Sequence, residues 1–159
     1  WDPLTGLGWS DRIREWAAEM LSKGEEISIL FIDLDNFGAY NKTYGHTVGD
    51  RVLRRVSHLL RQMIDPERDL LVRYGGDEFA IATLRHREEA EQLLLKIKEQ
   101  SGIASDDEPY RPITFTVGLA GGRRSQGRQN VHIASTVEDL LLTASKDCLS
   151  RKRRLEEMG

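Results

Sequence analysis

The most distinctive chemistry of this 159-residue chain lies in one short acidic segment. Gly75–Glu78 reads Gly-Gly-Asp-Glu and stands between two apolar runs, Leu70–Val72 and Phe79–Ala82. The apolar runs have the length of buried strands, so the two glycines fall at a hairpin turn, where a residue must take a positive φ, and they also let a phosphate or ribose approach the backbone. Adjacent carboxylates repel each other unless a cation such as Mg2+ lies between them. The segment predicts a metal and nucleotide site, although the same composition also suits an ordinary solvated turn.

A second acidic cluster follows another strongly apolar run. Asp33 and Asp35 come at the end of Ile27–Ile32. A buried strand that ends in Asp places a carboxylate at the sheet edge, and residues two apart share a face if the strand continues through them. Asp33 facing Asp77 across adjacent strands would complete a site for one or two divalent ions. Asp35 has a second interpretation, as the cap of the helix that follows.

Four separated segments resemble the sequence motifs of GGDEF domains, which are the catalytic domains of diguanylate cyclases. The segments are Asp2–Leu7, Asp33–Asp50, Gly75–Phe79 and Ile113–Ala120. They occur in the family's order with family-like spacing, and together they cover nearly the whole chain. The resemblance implies the condensation of two GTP molecules to cyclic di-GMP with release of pyrophosphate. It also implies Mg2+ or Mn2+ as cofactor and a homodimer as the active form.

The resemblance implies roles for individual acidic residues. Asp33, Asp77 and the backbone carbonyl of Leu34 correspond to the metal ligands of the family. Asp77 also corresponds to the acceptor of the 3′-hydroxyl proton, and Glu78 to the adjacent acid that activity requires. These roles agree with phosphoryl-transfer chemistry, in which a metal offsets developing charge and a carboxylate takes up the hydroxyl proton.

The resemblance also implies a set of substrate contacts. They are Asn41, His46, Asp50, Gly75, Gly76 and Lys152. An Asn that offers its amide and an Asp that accepts from guanine N1 and the exocyclic amine would select guanine, because adenine presents a different donor pattern. Without the family, Asn41 fits a helix cap, His46 a structural histidine and Asp50 an acid near a helix N-terminus.

Departures from the family pattern bear on activity and its regulation. The Arg-x-x-Asp motif of the allosteric product site retains Asp69 but has Pro66 at the Arg position, with Arg68 nearby. Gly38 replaces a Lys often found near the phosphates, and Glu156 replaces a phosphate-binding Arg. Losing one charge-assisted phosphate contact costs about 1.5–3 kcal/mol. A second function therefore stays open, in which a weak or inactive module binds GTP or a partner and regulates an attached domain.

The amino-acid composition limits the partners and the cellular compartment that we expect for this protein. The net charge of -3 gives no reason to expect nucleic-acid binding, and the basic run Arg151–Arg154 suits a solvated helix end. No apolar stretch approaches the length of a membrane span, so we expect no membrane contact by this domain. The single cysteine, Cys148, indicates a reducing compartment, the cytoplasm. We interpret residues 1–159 as a single domain excised from a longer protein, since the chain begins with Trp1, with an upstream sensor or regulatory domain and any membrane tether lying elsewhere.

These residues must be positioned by a small α/β (α+β) fold. The predicted order of helix, strand, helix, hairpin, helix, strand and helix implies a central, mostly antiparallel sheet flanked by helices, as in the ferredoxin-like palm of nucleotidyl cyclases. Ser10 is expected to cap the first helix and Gly24 to end it. Thr136 and Asp139 resemble the capping box of the last helix. A polar loop over residues 121–130 precedes that helix.

Overall fold

The computed structural model of the protein describes residues 1–102, 112–121 and 133–158. Apart from Gly121, the predicted polar loop over 121–130 lies outside the described residues. The described part of the chain contains five α-helices and four β-strands. In chain order they are α1 Ser10–Ser22, β1 Ser28–Leu34, α2 Phe37–Tyr44, α3 His46–Met63, β2 Asp69–Gly75, β3 Glu78–Thr83, α4 Arg87–Glu99, β4 Phe115–Gly121 and α5 Ile133–Met158.

The strands form one sheet in the order β2-β3-β1-β4, and every neighbouring pair is antiparallel. Helices α2 and α3 connect β1 to β2, a tight turn connects β2 to β3, and α4 lies between β3 and β4. This is the β-α-β-β-α-β arrangement of ferredoxin-like folds. The predicted fold class, a largely antiparallel sheet flanked by helices, is confirmed. This arrangement places the C-terminal end of β1 beside the β2–β3 turn.

Alternation along β1 decides which layer each side chain meets. Leu30 and Ile32 belong to the core shared with α3 and α4, whereas Ile29 and Phe31 belong to the core shared with α1 and α5. Successive side chains of a strand point to opposite faces. Asp33 therefore follows Ile29 and Phe31 toward the face covered by α5.

Helix α5 packs directly on β4, and a glycine makes this close approach possible. A Cβ added at Gly118 would overlap the backbone nitrogen of Cys148 and the carbonyl oxygen of Ala144. The thiol of Cys148 is buried in this contact, and burial raises its pKa to about 12, so it stays protonated. Lys152 lies one helical turn beyond Cys148, on the same side of α5. The packing thus carries Lys152 to the end of the sheet where Asp33 lies.

Two predicted helix starts are wrong. Trp9 holds the N-cap position of α1 without a side-chain hydrogen bond, and Ser10 is already helical. Gly8 forms a bridge to Val72, so the chain leaves the sheet at this point and the helix begins directly afterwards. α5 begins at Ile133, which places Thr136 inside the helix rather than at its cap. Gly24, with φ +84°, follows the end of α1 as predicted.

Among the described residues, no helix combines the length and the apolar character needed to cross a membrane.

Candidate active site

Three carboxylates meet where β1 ends beside the β2–β3 turn. Asp33 is paired in register with Glu78 across the antiparallel β1–β3 ladder. The next residue of β1, Leu34, donates its backbone N–H to the carbonyl oxygen of Asp77 at 3.0 Å. The adjacent strands therefore place Asp33, Asp77 and Glu78 at the same end of the sheet.

Lys152 supplies a positive charge to this acidic cluster. Its Nζ lies 2.8 Å from Asp33 Oδ2 and 3.4 Å from Asp35 Oδ1. The side chains of Lys152 and Asp33 are only 21% and 26% exposed, so solvent screens this pair less than an ordinary surface ion pair. Burial favours the neutral amine of Lys152, but the carboxylates of Asp33 and Asp35 outweigh it and raise the pKa. Lys152 is therefore a charged ammonium group inside the cluster.

The carboxylates of Asp33 and Glu78 lie in an environment that opposes their ionisation. Burial raises the pKa of Asp33; Lys152 offsets part of this effect, while the charges of Asp77 and Asp35 add to it. Burial, followed by the charges of Asp33 and Asp77, also raises the pKa of Glu78. A second cation would relieve this repulsion.

The donor set fits a hard divalent cation whose coordination is completed by a ligand. Asp33 and Asp77 offer carboxylate oxygens, and Leu34 offers a backbone carbonyl, all oxygen donors of the kind that Mg2+ and Mn2+ take. Within the described residues, no three His, Cys, Asp or Glu side chains converge as a ready-made metal cage. Mg2+ is usually held by one or two carboxylates together with substrate phosphates. The residues present therefore suit a metal that binds together with a nucleotide.

The glycines of the turn serve a purpose different from the predicted one. Positive φ occurs at other glycines but at neither Gly75 nor Gly76, so that part of the prediction is wrong. A Cβ added at Gly75 would overlap Glu78 Oε1 and lie 3.2 Å from Glu78 Cδ, whereas one added at Gly76 would meet nothing within 4 Å. Gly75 thus makes room for the carboxylate of Glu78. The backbone of Gly76 stays open to approach.

A buried arginine that the sequence did not indicate fixes the turn. Arg73 Nη1 donates to Asp2 Oδ2 at 2.9 Å and Arg73 Nη2 donates to the carbonyl oxygen of Gly76 at 2.7 Å. Asp2 also accepts from Thr5 Oγ1 at 2.5 Å. Burial opposes the ionisation of Asp2, but the hydrogen bonds from Thr5 and Arg73 outweigh it and lower the pKa. The N-terminal segment is thereby linked to the backbone next to Asp77. An arginine directly after the apolar run Leu70–Val72 of β2 was the available signal.

Asp35 does not cap α2, and the capping interpretation is wrong. Its two carboxylate oxygens each accept a hydrogen bond at 2.8 Å, one from Thr114 Oγ1 and one from Thr116 Oγ1. The N-cap of α2 is Asn36, which has a left-handed φ of 54° and no side-chain cap hydrogen bond. The tight exit from β1 turns Asp35 toward β4 instead. Asp35 therefore lies on the α5 side with Asp33, and Lys152 contacts both.

The residues assigned to guanine lie where α2 meets α3. Asn41 is half-buried inside α2, which excludes the helix-cap interpretation. Asp50 is exposed at the fifth residue of α3, beyond its first turn. His46 is exposed at the first residue of α3, so it is not a buried structural histidine. The three residues share the α2–α3 junction, which follows directly from the β1 terminus.

Asp69 is enclosed rather than presented to a ligand. Its carboxylate accepts from Thr83 Oγ1 at 2.5 Å, from Arg85 Nη2 at 2.9 Å and from the Asp65 backbone N–H at 2.8 Å. The Asp69 side chain is 0% exposed. Arg68, which lies near the missing Arg position, pairs instead with Asp65 and Glu89. The residues of the expected product site are thus committed to internal ion pairs.

Comparisons with known proteins place this chain in a family. The family model "Diguanylate cyclase, GGDEF domain" matches residues 1–148. Cyclic di-GMP phosphodiesterase PdeB of Shewanella oneidensis is 28% identical over 156 residues, which are 96% of this chain and 17% of that protein. Diguanylate cyclase DgcS of the same species is 37% identical over 84 residues, or 50% of this chain and 28% of that protein. The crystal structure of the GGDEF domain of DgcB from Caulobacter crescentus in complex with c-di-GMP gives a TM-score of 0.78 at 26% identity, covering 96% of this chain and 86% of that one.

The chain therefore belongs to the GGDEF domain family, whose members include diguanylate cyclases. It spans 17% and 28% of the length of the two curated relatives described above. One of those relatives carries the name of a phosphodiesterase and the other that of a cyclase. The family assignment fixes the fold and the signalling context, cyclic di-GMP.

The enclosed Asp69 leads to a prediction about stability and product binding. Arg85→Met would leave a buried carboxylate uncompensated, which costs about 3–5 kcal/mol. Arg68→Met, the matched control, removes pairs whose side chains are about 39–40% exposed and should have a much smaller effect, because solvent screens these pairs. Urea unfolding measures both. Calorimetric titration with cyclic di-GMP should give the wild-type affinity for Arg85→Met. A stable Arg85→Met protein with weakened cyclic di-GMP binding would show instead that the Asp69–Arg85 pair serves the product.

Proposed function

We propose that this domain is a diguanylate cyclase that condenses two GTP molecules to cyclic di-GMP and releases two pyrophosphates. The observation that carries the proposal is the proximity of Asp33, Asp77 and Glu78 at the end of β1, where the half-buried ammonium group of Lys152 pairs with Asp33, next to the α2–α3 junction that holds Asn41 and Asp50. Acidic groups that need a cation lie beside residues able to recognise a purine. A substrate that binds as a metal–nucleotide complex requires both. Cyclases of this family are metal-dependent in general.

The acidic residues have different roles in the proposed reaction. Asp33, Asp77 and the Leu34 carbonyl would hold Mg2+ or Mn2+, which when bound neutralises phosphate charge. The 3′-hydroxyl oxygen of one GTP attacks the α-phosphorus of the other; the bond from that phosphorus to the pyrophosphate oxygen breaks. The hydroxyl proton passes to the carboxylates of the turn, where Asp77 is the family's acceptor. The raised pKa of Glu78 suits it to hold or relay that proton.

The remaining residues bind and orient the substrate. Asn41 and Asp50 contact the guanine, and His46 shapes the same region of the α2–α3 junction. Gly75 and Gly76 give the nucleotide access to the backbone of the turn. With a cation at Asp33, Lys152 would no longer be needed to balance that carboxylate, and its ammonium group would be available to bind the triphosphate.

A second candidate function is a weak or inactive GGDEF module that binds GTP or a partner and regulates an attached domain. Two observations favour it. Gly38 and Glu156 supply no positive charge at positions where the family pattern has a cation, and a relative that this chain matches over 96% of its length is named a phosphodiesterase. Exposed Arg153 and Arg154 lie near Glu156 on α5 and could take the missing role.

The cyclase proposal predicts a specific loss of turnover. Asp77→Ala and Glu78→Ala should each lower cyclic di-GMP formation from GTP and Mg2+ by at least about a hundredfold, because each removes a carboxylate from the reacting centre. Both residues lie at a half-buried turn outside the apolar core, so the melting temperature should change little. Chromatography of the reaction products measures the rate. Wild-type protein that binds GTP without making product would favour the regulatory module instead.

We also propose that the active form is a homodimer. One domain carries one set of Asp33, Asp77 and Glu78, whereas the product joins two guanylates reciprocally. In a two-fold arrangement, each 3′-hydroxyl would face the α-phosphate of the GTP that the other protomer holds. In the cytoplasm, an upstream sensor or regulatory segment would bring two such domains together.

The dimer proposal predicts an activity that depends on protein concentration. Specific activity per protomer should rise with concentration, and fusion to a dimerising coiled coil should raise it further, because proximity replaces a bimolecular encounter. A dilution series with parallel analytical ultracentrifugation measures both quantities. Constant specific activity in a sample that remains monomeric would contradict the reciprocal mechanism.

A further inference from the structure

Helices α2 and α3 are joined by a very short connection. Gly45 is the only residue between them and has a φ of +88°. Its N–H donates to the carbonyl oxygen of Asn41 at 2.7 Å, and its own carbonyl oxygen accepts from the N–H of Gly49 at 3.1 Å. Two consecutive backbone hydrogen bonds thus connect Asn41 to Gly49. The two residues hold a fixed position relative to each other.

The aromatic side of α2 prevents this helix from moving away from α3. Phe37 and Tyr40 are buried, with their rings stacked at 6.3 Å between centroids. Tyr40 also meets the ring of Tyr44 edge-on at 4.8 Å. Phe37 and Tyr40 belong to the same buried cluster as Val48 and Val52 of α3, so a shift of α2 away from α3 would open unfilled space in that core. Any new side chain at the α2–α3 contact must therefore displace a side chain rather than the helix.

Gly49 is the residue of α3 that Asn41 packs against. A Cβ added at Gly49 would overlap Asn41 Oδ1, and it would lie 2.9 Å from Asn41 Cγ and 3.3 Å from Phe37 Cζ. Asn41 Oδ1 is buried and has no hydrogen-bond partner. The amide oxygen therefore occupies the space that a side chain at position 49 would fill. The amide nitrogen is the polar end left to meet a ligand, and it can only donate.

We propose that Gly49 is a positioning residue for base selection, acting through Asn41. Base selection through an Asn amide requires that the amide lie at one place in the site. The open space at Gly49 admits the Asn41 amide oxygen, which leaves the N–H groups of Asn41 as donors at the same α2–α3 junction as the exposed acceptor Asp50. The inference rests on the proposed function, since it concerns how the GTP site rejects ATP.

The donor–acceptor pair matches guanine and not adenine. Guanine offers the O6 acceptor next to the N1–H and exocyclic amine donors, so Asn41 can donate to O6 while Asp50 accepts. Adenine carries an amine donor in place of O6, which would face the N–H groups of Asn41. A Cβ at position 49 would displace the Asn41 amide, so guanine would lose a hydrogen bond that adenine does not make with these N–H groups. A side chain at position 49 should therefore relax the selection of guanine.

The test measures affinity for 3′-deoxy-GTP and 3′-deoxy-ATP in Mg2+ by calorimetry. Both probes lack the attacking hydroxyl and bind without turnover. Gly49→Ala should reduce the preference for the guanine nucleotide by roughly tenfold, the loss expected for one hydrogen bond. A purely structural disturbance would weaken both probes alike and leave their ratio unchanged.

Two further variants separate the contact with Asn41 from general effects. In Asn41→Ala, the added substitution Gly49→Ala should have no further effect on the ratio, since a residue that acts only through Asn41 loses its influence there. Gly38→Ala is the stability control, because it adds the same methyl group to a helix with nothing within 4 Å. It should keep or raise the melting temperature, as alanine favours helix over glycine.

Each outcome decides the inference. Three results together support it: the wild type prefers the guanine nucleotide, Gly49→Ala reduces that preference, and Gly49→Ala has no further effect on the ratio in the Asn41→Ala background. If Gly49→Ala fails to fold, refolding in the double variant with Asn41→Ala also supports it, and failure of both variants to fold overturns it. A Gly49→Ala protein with the wild-type ratio overturns the inference and leaves the cyclase proposal intact. A wild type that binds both probes equally overturns the guanine site and this inference with it.

Discussion

The repulsion between carboxylates at the end of β1 is the constraint on which the rest of the site depends. Asp33, Asp77 and Glu78 meet in a partly buried setting, and Asp35 lies close by. Lys152 contacts both Asp33 and Asp35, at 2.8 and 3.4 Å. Its reach requires α5 to lie directly on β4, which the missing side chain at Gly118 permits. A packing feature of the edge strand β4 thus brings a positive charge to the acidic residues at the end of β1.

The site is assembled from two layers that the sheet holds apart. The acidic edge faces α5 through Asp33, whereas Asn41 and Asp50 belong to α2 and α3 on the opposite layer. The end of β1 connects the two, because α2 begins three residues after β1 ends. The turn that bears Asp77 is fixed separately by Arg73, which ties it to Asp2. A change in the N-terminal segment would therefore act first on the turn and leave the guanine side in place.

The fold and the acidic edge could be predicted because both follow from periodicity. The alternation of β1 places Asp33 on the α5 face, and the apolar runs around Gly75–Glu78 define the hairpin. Contacts between residues far apart in sequence leave no such pattern. The pairs of Asp2 with Arg73 and of Asp35 with Thr116 depend on strand order and on how tightly the chain turns. Gly75 was predicted as a turn residue, but its role is to make room for Glu78, which only side-chain geometry could reveal.

The central claim is that the acidic residues at the end of β1, Asp33, Asp77 and Glu78, accept a nucleotide only together with a cation. Calorimetric titration of 3′-deoxy-GTP, in excess Mg2+ and in excess chelator, tests it most directly, since the probe binds without reacting. The account predicts clear binding with Mg2+ and a loss of affinity of at least about tenfold in chelator, because the carboxylates would otherwise face a polyanion. Asp33→Asn should reduce this dependence. Equal affinity in Mg2+ and in chelator would contradict the assignment of Asp33 and Asp77 as the groups that hold the metal.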